Sequence, residues 1–128
     1  MKFAYNRDYY PPAPVAEVSF ITIAESLCVG PFTGLIDSGA DGTIVPVAYL
    51  HEIVAPPTEE MIIRSQWGEG RRVMLYLVDV QIGEVVLPGI EVVGDEFSNE
   101  SILGRDVLNR LRVLLDGPAR HVTVSEFL

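Results

Sequence analysis

Apolar and polar positions alternate with a period of two along much of this chain, and that period belongs to strands buried on one face. The clearest run is Met74, Tyr76, Val78, Val80 and Ile82, whose side chains share one face of an extended segment. Residues 61–82 therefore predict a long hairpin, with Gly68-Glu69-Gly70 supplying the turn and Trp67 near its tip. A first strand is predicted over residues 15–24, and a short one over 32–36, bounded by Gly30-Pro31 and Gly39. Two further short strands, 84–87 and 90–93, are separated by Pro88-Gly89, a strong turn signal. The last strands, 113–116 and 121–125, flank Gly117-Pro118.

Helical spacing is rare. Residues 47–53 suit one short helix stopped by Pro56-Pro57, and residues 105–111 place Val107, Leu108 and Leu111 on one face of an amphipathic helix of about two turns. The N-terminal Tyr9-Tyr10-Pro11-Pro12-Ala13-Pro14 is too proline-rich for helix and reads as part of an extended arm. No repeat, low-complexity tract or linker interrupts the pattern. The expectation is one all-β domain over residues 1–128, with an N-terminal arm over 1–14 and one short α-helix in the C-terminal half. Met1 and the terminal strands imply a freestanding chain.

Composition narrows this picture without changing it. The 128 residues are 48% hydrophobic, enough for a domain that buries roughly two-thirds of its unfolded surface. Cys28 is the single cysteine, so an intrachain disulfide and a Cys-based zinc site are excluded, and the residue is expected as a small buried apolar group. This usage suits a reducing cytoplasm, the expected location. The N-terminus lacks the apolar run of a signal peptide, and no segment approaches the ~20 apolar residues of a membrane span. A net charge of -9 argues against binding nucleic acid through phosphate neutralisation. His51 and His121 are too few and too far apart for a metal centre, so neither metal nor cofactor is expected. Asp95, Glu96 and Glu100 read as a solvated loop, and Arg71-Arg72 as exposed charge.

The segment Gly34-Leu35-Ile36-Asp37-Ser38-Gly39-Ala40-Asp41-Gly42-Thr43 carries the chemistry. An ionisable residue here follows directly on an apolar strand and precedes small residues. Such a carboxylate is held firmly and leaves room beside it. As a bare tripeptide, Asp37-Ser38-Gly39 reads first as an ordinary turn, and the catalytic reading needs more than these three residues. Rival chemistries fail on spacing. A calcium loop starting at Asp37 would have Gly39 at its third position and Ala48 at its twelfth, where an acid is required. Ser38 lies between Ile36 and Ala40, not in Gly-x-Ser-x-Gly, and no lysine accompanies the glycines as phosphate binding would need.

The run Leu35-Ile36-Asp37-Ser38-Gly39-Ala40-Asp41 resembles the retropepsin signature, and Ile102-Leu103-Gly104-Arg105-Asp106-Val107-Leu108 resembles that family's apolar-apolar-Gly-Arg segment entering its helix. Two motifs in the right order, with a hairpin between them, extend the resemblance from about residue 15 to 124. It implies a retropepsin-like closed acid-protease barrel with a flap hairpin, and a homodimeric aspartic endopeptidase in which each subunit gives one catalytic Asp37. Ser38, Gly39, Ile102, Leu103 and Gly104 would support the catalytic loop. Gly39, Ala40 and Asp41, with Trp67, Gly68, Glu69 and Gly70 of the flap, would hold an extended peptide. Asp41 and Arg105 would form an ion pair steadying loop and dimer. The implied partners are a second copy and a peptide or protein substrate, without nucleic acid or membrane. The alternative is a catalytically silent dimeric binding or scaffold module of the same fold; a third reading is a latent enzyme activated by removing residues 9–14.

Overall fold

The computed structural model describes residues 1–64 and 67–126. Ten strands and two short helices follow in chain order: β1 (Lys2–Ala4), β2 (Val15–Thr22), β3 (Leu27–Ile36), β4 (Ile44–Pro46), α1 (Val47–Glu52), β5 (Pro57–Arg64), β6 (Gly70–Ile82), β7 (Val85–Asp95), β8 (Ser101–Leu103), α2 (Arg105–Leu108), β9 (Arg112–Asp116) and β10 (His121–Ser125). Six of the strands close a barrel in the order β2-β3-β8-β4-β7-β6, with β6 returning to pair with β2. β5 extends this sheet outside the ring, on β6, and β1, β10 and β9 form a separate three-stranded sheet. Closure removes the free edges an open sheet of these strands would expose.

The barrel interior is filled as the alternation predicts. Val18, Phe20, Val80, Ile82, Val92, Leu103 and Val107 are all within 2% of complete burial, joined by Leu50 and Ile53 from the first helical segment and Val122 and Val124 from β10. Each such side chain stabilises the fold by roughly 1.5–3 kcal/mol relative to exposure. The predicted face of β6 is inward, with Tyr76, Val78, Val80 and Ile82 buried and Met74 half-buried. Val73 and Leu75, on the opposite face, are buried too, in a small second cluster with Val93 that Ile44 and Ile63 complete. The strand is therefore covered on both faces where the hairpin joins the barrel.

Several local expectations need correction. The strands placed at 84–87 and 90–93 are one strand, and Pro88-Gly89 is a bulge within it. Val78 pairs with Ile90 and Val80 with Leu87, so Asp79 alone faces both residues. Gly89 takes φ +67°, a conformation that favours glycine, and its N–H donates to Asp79 Oδ1 at 3.0 Å. The real turn lies at Gly83-Glu84, where Gly83 has φ +58°. The helix at 105 spans only four residues before loosening into turns, with Arg110 N–H bonding Val107 O and Leu111 N–H bonding Leu108 O, and the 47–52 segment is a second helix. Cys28 is exposed because it alternates with Val29, whose side chain takes the inward face of β3. Asp95 is 8% exposed, not solvated, and pairs with Arg71 at 3.7 Å while the Arg71 guanidinium lies 5.0 Å from the centre of the Phe97 ring. No helix among the described residues is long and apolar enough to cross a membrane.

The N-terminal segment is tied down at several points. β1 pairs with β10, Asn6 and Ala13 exchange backbone hydrogen bonds of 2.9 and 3.1 Å, and Ile36 N–H donates to Pro14 O at 3.0 Å. The Tyr9 hydroxyl donates to Glu100 Oε1. That bond, then burial, then the charges of Glu100 and Asp8 raise the Tyr9 pKa from 10.0 to about 12. A raised phenol pKa means that the fold favours the neutral form, so the contribution is whole below pH 10 and lost as pH climbs towards 12. Spectrophotometric titration of tyrosinate is expected to show one tyrosine ionising near pH 12 that Tyr9→Phe lacks. The stability gap between the two proteins should close over the same range; a gap unchanged from pH 9 to 12 would contradict this latch.

Candidate active site

The apolar run Leu35-Ile36 ends β3 beside β8, in parallel pairing that matches Gly34 with Ser101, Leu35 with Ile102 and Ile36 with Leu103. The ladder continues one step further, since Asp37 N–H donates to Leu103 O at 3.1 Å. The carboxylate is thus presented from the end of a paired strand, and its main chain has no freedom to wander. A tight turn follows, with Ala40 N–H donating to Asp37 O at 3.1 Å and Gly39 N–H donating to the Asp37 side chain, at Oδ1, at 2.9 Å. Asp37 is half-buried while Ser38 and Gly39 are exposed, so the acid is reachable from outside the barrel.

The segment entering α2 grips this loop from below. Arg105 N–H donates to Ala40 O at 2.9 Å and its guanidinium to Ser38 O at 2.8 Å, while a second nitrogen pairs with Asp41 Oδ1. The Asp41 side chain is 94% exposed, so that ion pair adds little stability by itself, about 0–1 kcal/mol. Its value is positional. Gly104 packs so close to the loop that a Cβ there would sit 2.5 Å from the Gly42 carbonyl carbon and oxygen. Only a residue without a side chain permits this approach.

Thr43 and Asp106 complete the grip and were not singled out by sequence reasoning as site residues. The fully buried Thr43 hydroxyl donates to Asp106 Oδ1 at 2.7 Å and accepts from Gly104 N–H at 3.1 Å. Thr43 N–H reaches Asp106 Oδ2 at 3.1 Å, and Asp106 Oδ1 also accepts from Val107 N–H at 2.8 Å. One hydroxyl and one carboxylate therefore bind the end of the loop to the start of the helix. The available signal was the presence of a hydroxyl residue closing the first motif and an acid following Gly104-Arg105 in the second.

The expected site residues divide into two groups. Asp37, Ser38, Gly39, Ala40, Asp41, Ile102, Leu103, Gly104 and Arg105 are brought together by the β3–β8 pairing and the Arg105 contacts. Trp67, Gly68, Glu69 and Gly70 lie apart at the exposed turn of the β5–β6 hairpin, where Trp67 is 81% exposed and Gly68 takes φ +83°. Glu69 and Gly70 line a surface cleft of about 430 Å³ with Ile63, Arg64 and Arg71. Among the described residues no three His, Cys, Asp or Glu side chains are grouped to hold a metal ion.

A closed six-stranded barrel whose Asp-Ser-Gly loop is clasped by a Gly-Arg helix start has the retropepsin-like fold. Residues 29–110 match the family described as gag-polyprotein putative aspartyl protease, and the chain belongs to that family. Comparison with curated protein sequences gives no match. Among solved structures, a retropepsin-like aspartic protease from Rickettsia conorii superposes with a TM-score of 0.63 at 15% identity, covering 98% of this chain and 91% of its own. The EIAV protease complexed with the inhibitor HBY-793 gives 0.57 at 18% identity, covering 84% and 92%. The retroviral protease-like domain of Ddi1 from Leishmania major gives 0.52 at 19%, covering 89% and 90%.

Thr43→Val keeps the shape of the side chain but strands the Asp106 carboxylate and Gly104 N–H without their shared partner. A loss of about 1–3 kcal/mol in equilibrium urea denaturation is expected. An unchanged midpoint would show that the hydroxyl is not what joins loop to helix.

Proposed function

We propose that the protein is a homodimeric aspartic endopeptidase, one domain per chain, in which Asp37 of two subunits forms a catalytic dyad. The observation that carries this reading is the way Asp37 is held: a half-exposed carboxylate at the end of a paired strand, in a loop fixed to Leu103 and Arg105 by backbone bonds. The chain contains a single Asp-Ser-Gly and no Asp-Thr-Gly, so a second carboxylate of the same kind has to come from a second copy.

Two carboxylates brought side by side share one proton, because both cannot ionise cheaply, as in aspartic proteases generally. The ionised member takes a proton from a bound water as that water attacks the peptide carbonyl carbon. The protonated member donates a hydrogen bond to the carbonyl oxygen, which becomes the hydroxyl of a tetrahedral intermediate. Collapse returns a proton to the leaving nitrogen and breaks the C–N bond. Titration of this unit belongs to the pair, not to either copy of Asp37.

In this reading Ser38 bonds backbone across the dimer axis, and Gly39, Ala40 and Asp41 offer main-chain and side-chain groups to an extended peptide. The β5–β6 hairpin is the flap, closing over substrate with Trp67, Gly68, Glu69 and Gly70 at its end. Arg105 supports these contacts through Ser38 O and Asp41 and touches no substrate itself.

Asp37→Asn is the decisive variant. It preserves shape and removes the proton chemistry, so cleavage of a diverse peptide library should fall by at least about a hundredfold while the protein stays folded and dimeric. Undiminished cleavage would remove Asp37 from the mechanism. A wild-type dimer that cuts no peptide between pH 4 and 7 would instead mark the protein as a silent binding or scaffold module.

A further inference from the structure

Tyr9 sits in the segment ahead of β2, yet its hydroxyl donates to Glu100, the residue before β8. In the barrel β3 lies between those two strands, and the interior is filled, so the link crosses the outer face of β3. The rest of the N-terminal segment lies on that side as well. Lys2, Phe3 and Asn6 surround a surface cleft of about 320 Å³ together with Val15, Glu17 and Thr33. Pro14 O anchors the segment to Ile36 N–H, one residue before Asp37, and the Asn6–Ala13 bonds close residues 6–13 into a loop.

The phase of the strand sets what stands on that face. A Cβ on Gly34 would lie 3.1 Å from the side chains of Leu103 and Val18, both in the core, so position 34 points inward and Leu35 outward. Ile102, opposite Leu35 in the ladder, lies between the buried Ser101 and Leu103 and points outward too. Both are half-buried, and neither packs against the core cluster among the described residues. By the same period Asp37, two residues past Leu35, ends on this face. Glu100 precedes Ser101, the partner of Gly34, so the link reaches the sheet at the level of Thr33. At about 3.3 Å per residue, Leu35 and Ile102 stand roughly 7 Å from the acid, and the link stands roughly 7 Å beyond them. An apolar ledge is thus bounded by Asp37 at one end and by Tyr9 at the other.

We propose that the Tyr9 ring, held by Glu100, is the far wall of the substrate subsite over Leu35 and Ile102 and limits the size of the side chain it accepts. An aliphatic side chain fits between acid and ring, and an indole does not. The proposal extends the peptidase reading above and rests on it. Residues 9–14 then belong to the site: cutting them out would release Ile36 N–H and Glu100 instead of uncovering a finished cleft.

Mass spectrometry of a diverse peptide library digested by the full-length wild type, Tyr9→Ala and Tyr9→Phe tests this, with circular dichroism as the check on folding. At one position flanking the scissile bond, Tyr9→Ala should raise kcat/KM for tryptophan relative to leucine by about tenfold or more, with preferences elsewhere unchanged. Tyr9→Phe keeps the ring and should keep the wild-type preference. Where Tyr9→Ala does not fold, Glu100→Ala frees the ring from its anchor and should relax the same position. Unchanged preferences in the alanine variant, whether cleavage is as fast, uniformly slower or uniformly faster, would reduce Tyr9 to a structural or blocking role and overturn the proposal while leaving the peptidase reading intact. A wild type that cuts no peptide would overturn both.

Discussion

The arrangement of this protein depends on one long-range attachment, the parallel pairing of β3 with β8. Two segments 67 residues apart in sequence, as Gly34 is from Ser101, run side by side and end together, one at Asp37 and the other at Leu103. Everything that makes Asp37 a defined chemical group follows from that meeting. The strand delivers the acid to the barrel end, Leu103 O fixes its backbone, and Gly104-Arg105 arrive in position to hold the turn beyond it. Without the pairing, the run Asp37-Ser38-Gly39 would be an ordinary surface turn. Such contacts carry a loop-closure cost that only barrel burial offsets, which is why Leu103 and Val107 are completely buried on either side of Gly104.

The Thr43–Asp106 node shows how polar groups reinforce this attachment. A buried hydroxyl left unpartnered costs about 1–3 kcal/mol, so a hydroxyl that both donates and accepts is a strong constraint on geometry. Thr43 does both across the two motifs, and Asp106 accepts from Thr43 N–H and Val107 N–H as well. The exposed Arg105–Asp41 pair looks like the more obvious link, yet solvent screens it. The buried node fixes the loop, and the exposed ion pair orients its rim.

Much of this was legible in the sequence, for physical reasons that differ by element. β6 was readable because its period-two pattern reflects real one-sided burial over Tyr76, Val78, Val80 and Ile82. Asp37, Gly104 and Arg105 were readable because two short motifs tie chemistry to spacing. Pro88-Gly89 misled because a left-handed glycine serves a bulge as well as a turn, and only the pairing partner, Asp79, distinguishes them. The burial of Asp95 depends on Arg71 and Phe97, and the Thr43–Asp106 bond spans 63 positions. No local pattern encodes contacts of that kind. Cys28 was misplaced because residue type was weighed above its alternation with Val29.

The hairpin illustrates how the same fold is firm at the site and less committed away from it. Val73 and Leu75 of β6 pack with Val93, Ile44 and, from one residue short of the end of β5, Ile63. Ile44 begins the strand that leaves the Asp37 loop, so this cluster rests on the same scaffold that carries the acid. Residues 57–62 of β5 are exposed from the end paired with Tyr76 up to the residue paired with Arg72, and residues 67–72 are exposed beyond the cluster, which leaves Ile63 as the half-buried contact on β5. Segments with few buried contacts open at lower free energy than the core. The hairpin is held to the barrel through β6 and Ile63, on a cluster that includes Ile44 beside the Asp37 loop. Apolar burial along β6 begins at Val73, so the strand is bound to the barrel from that residue inward and its first three residues stand in solvent.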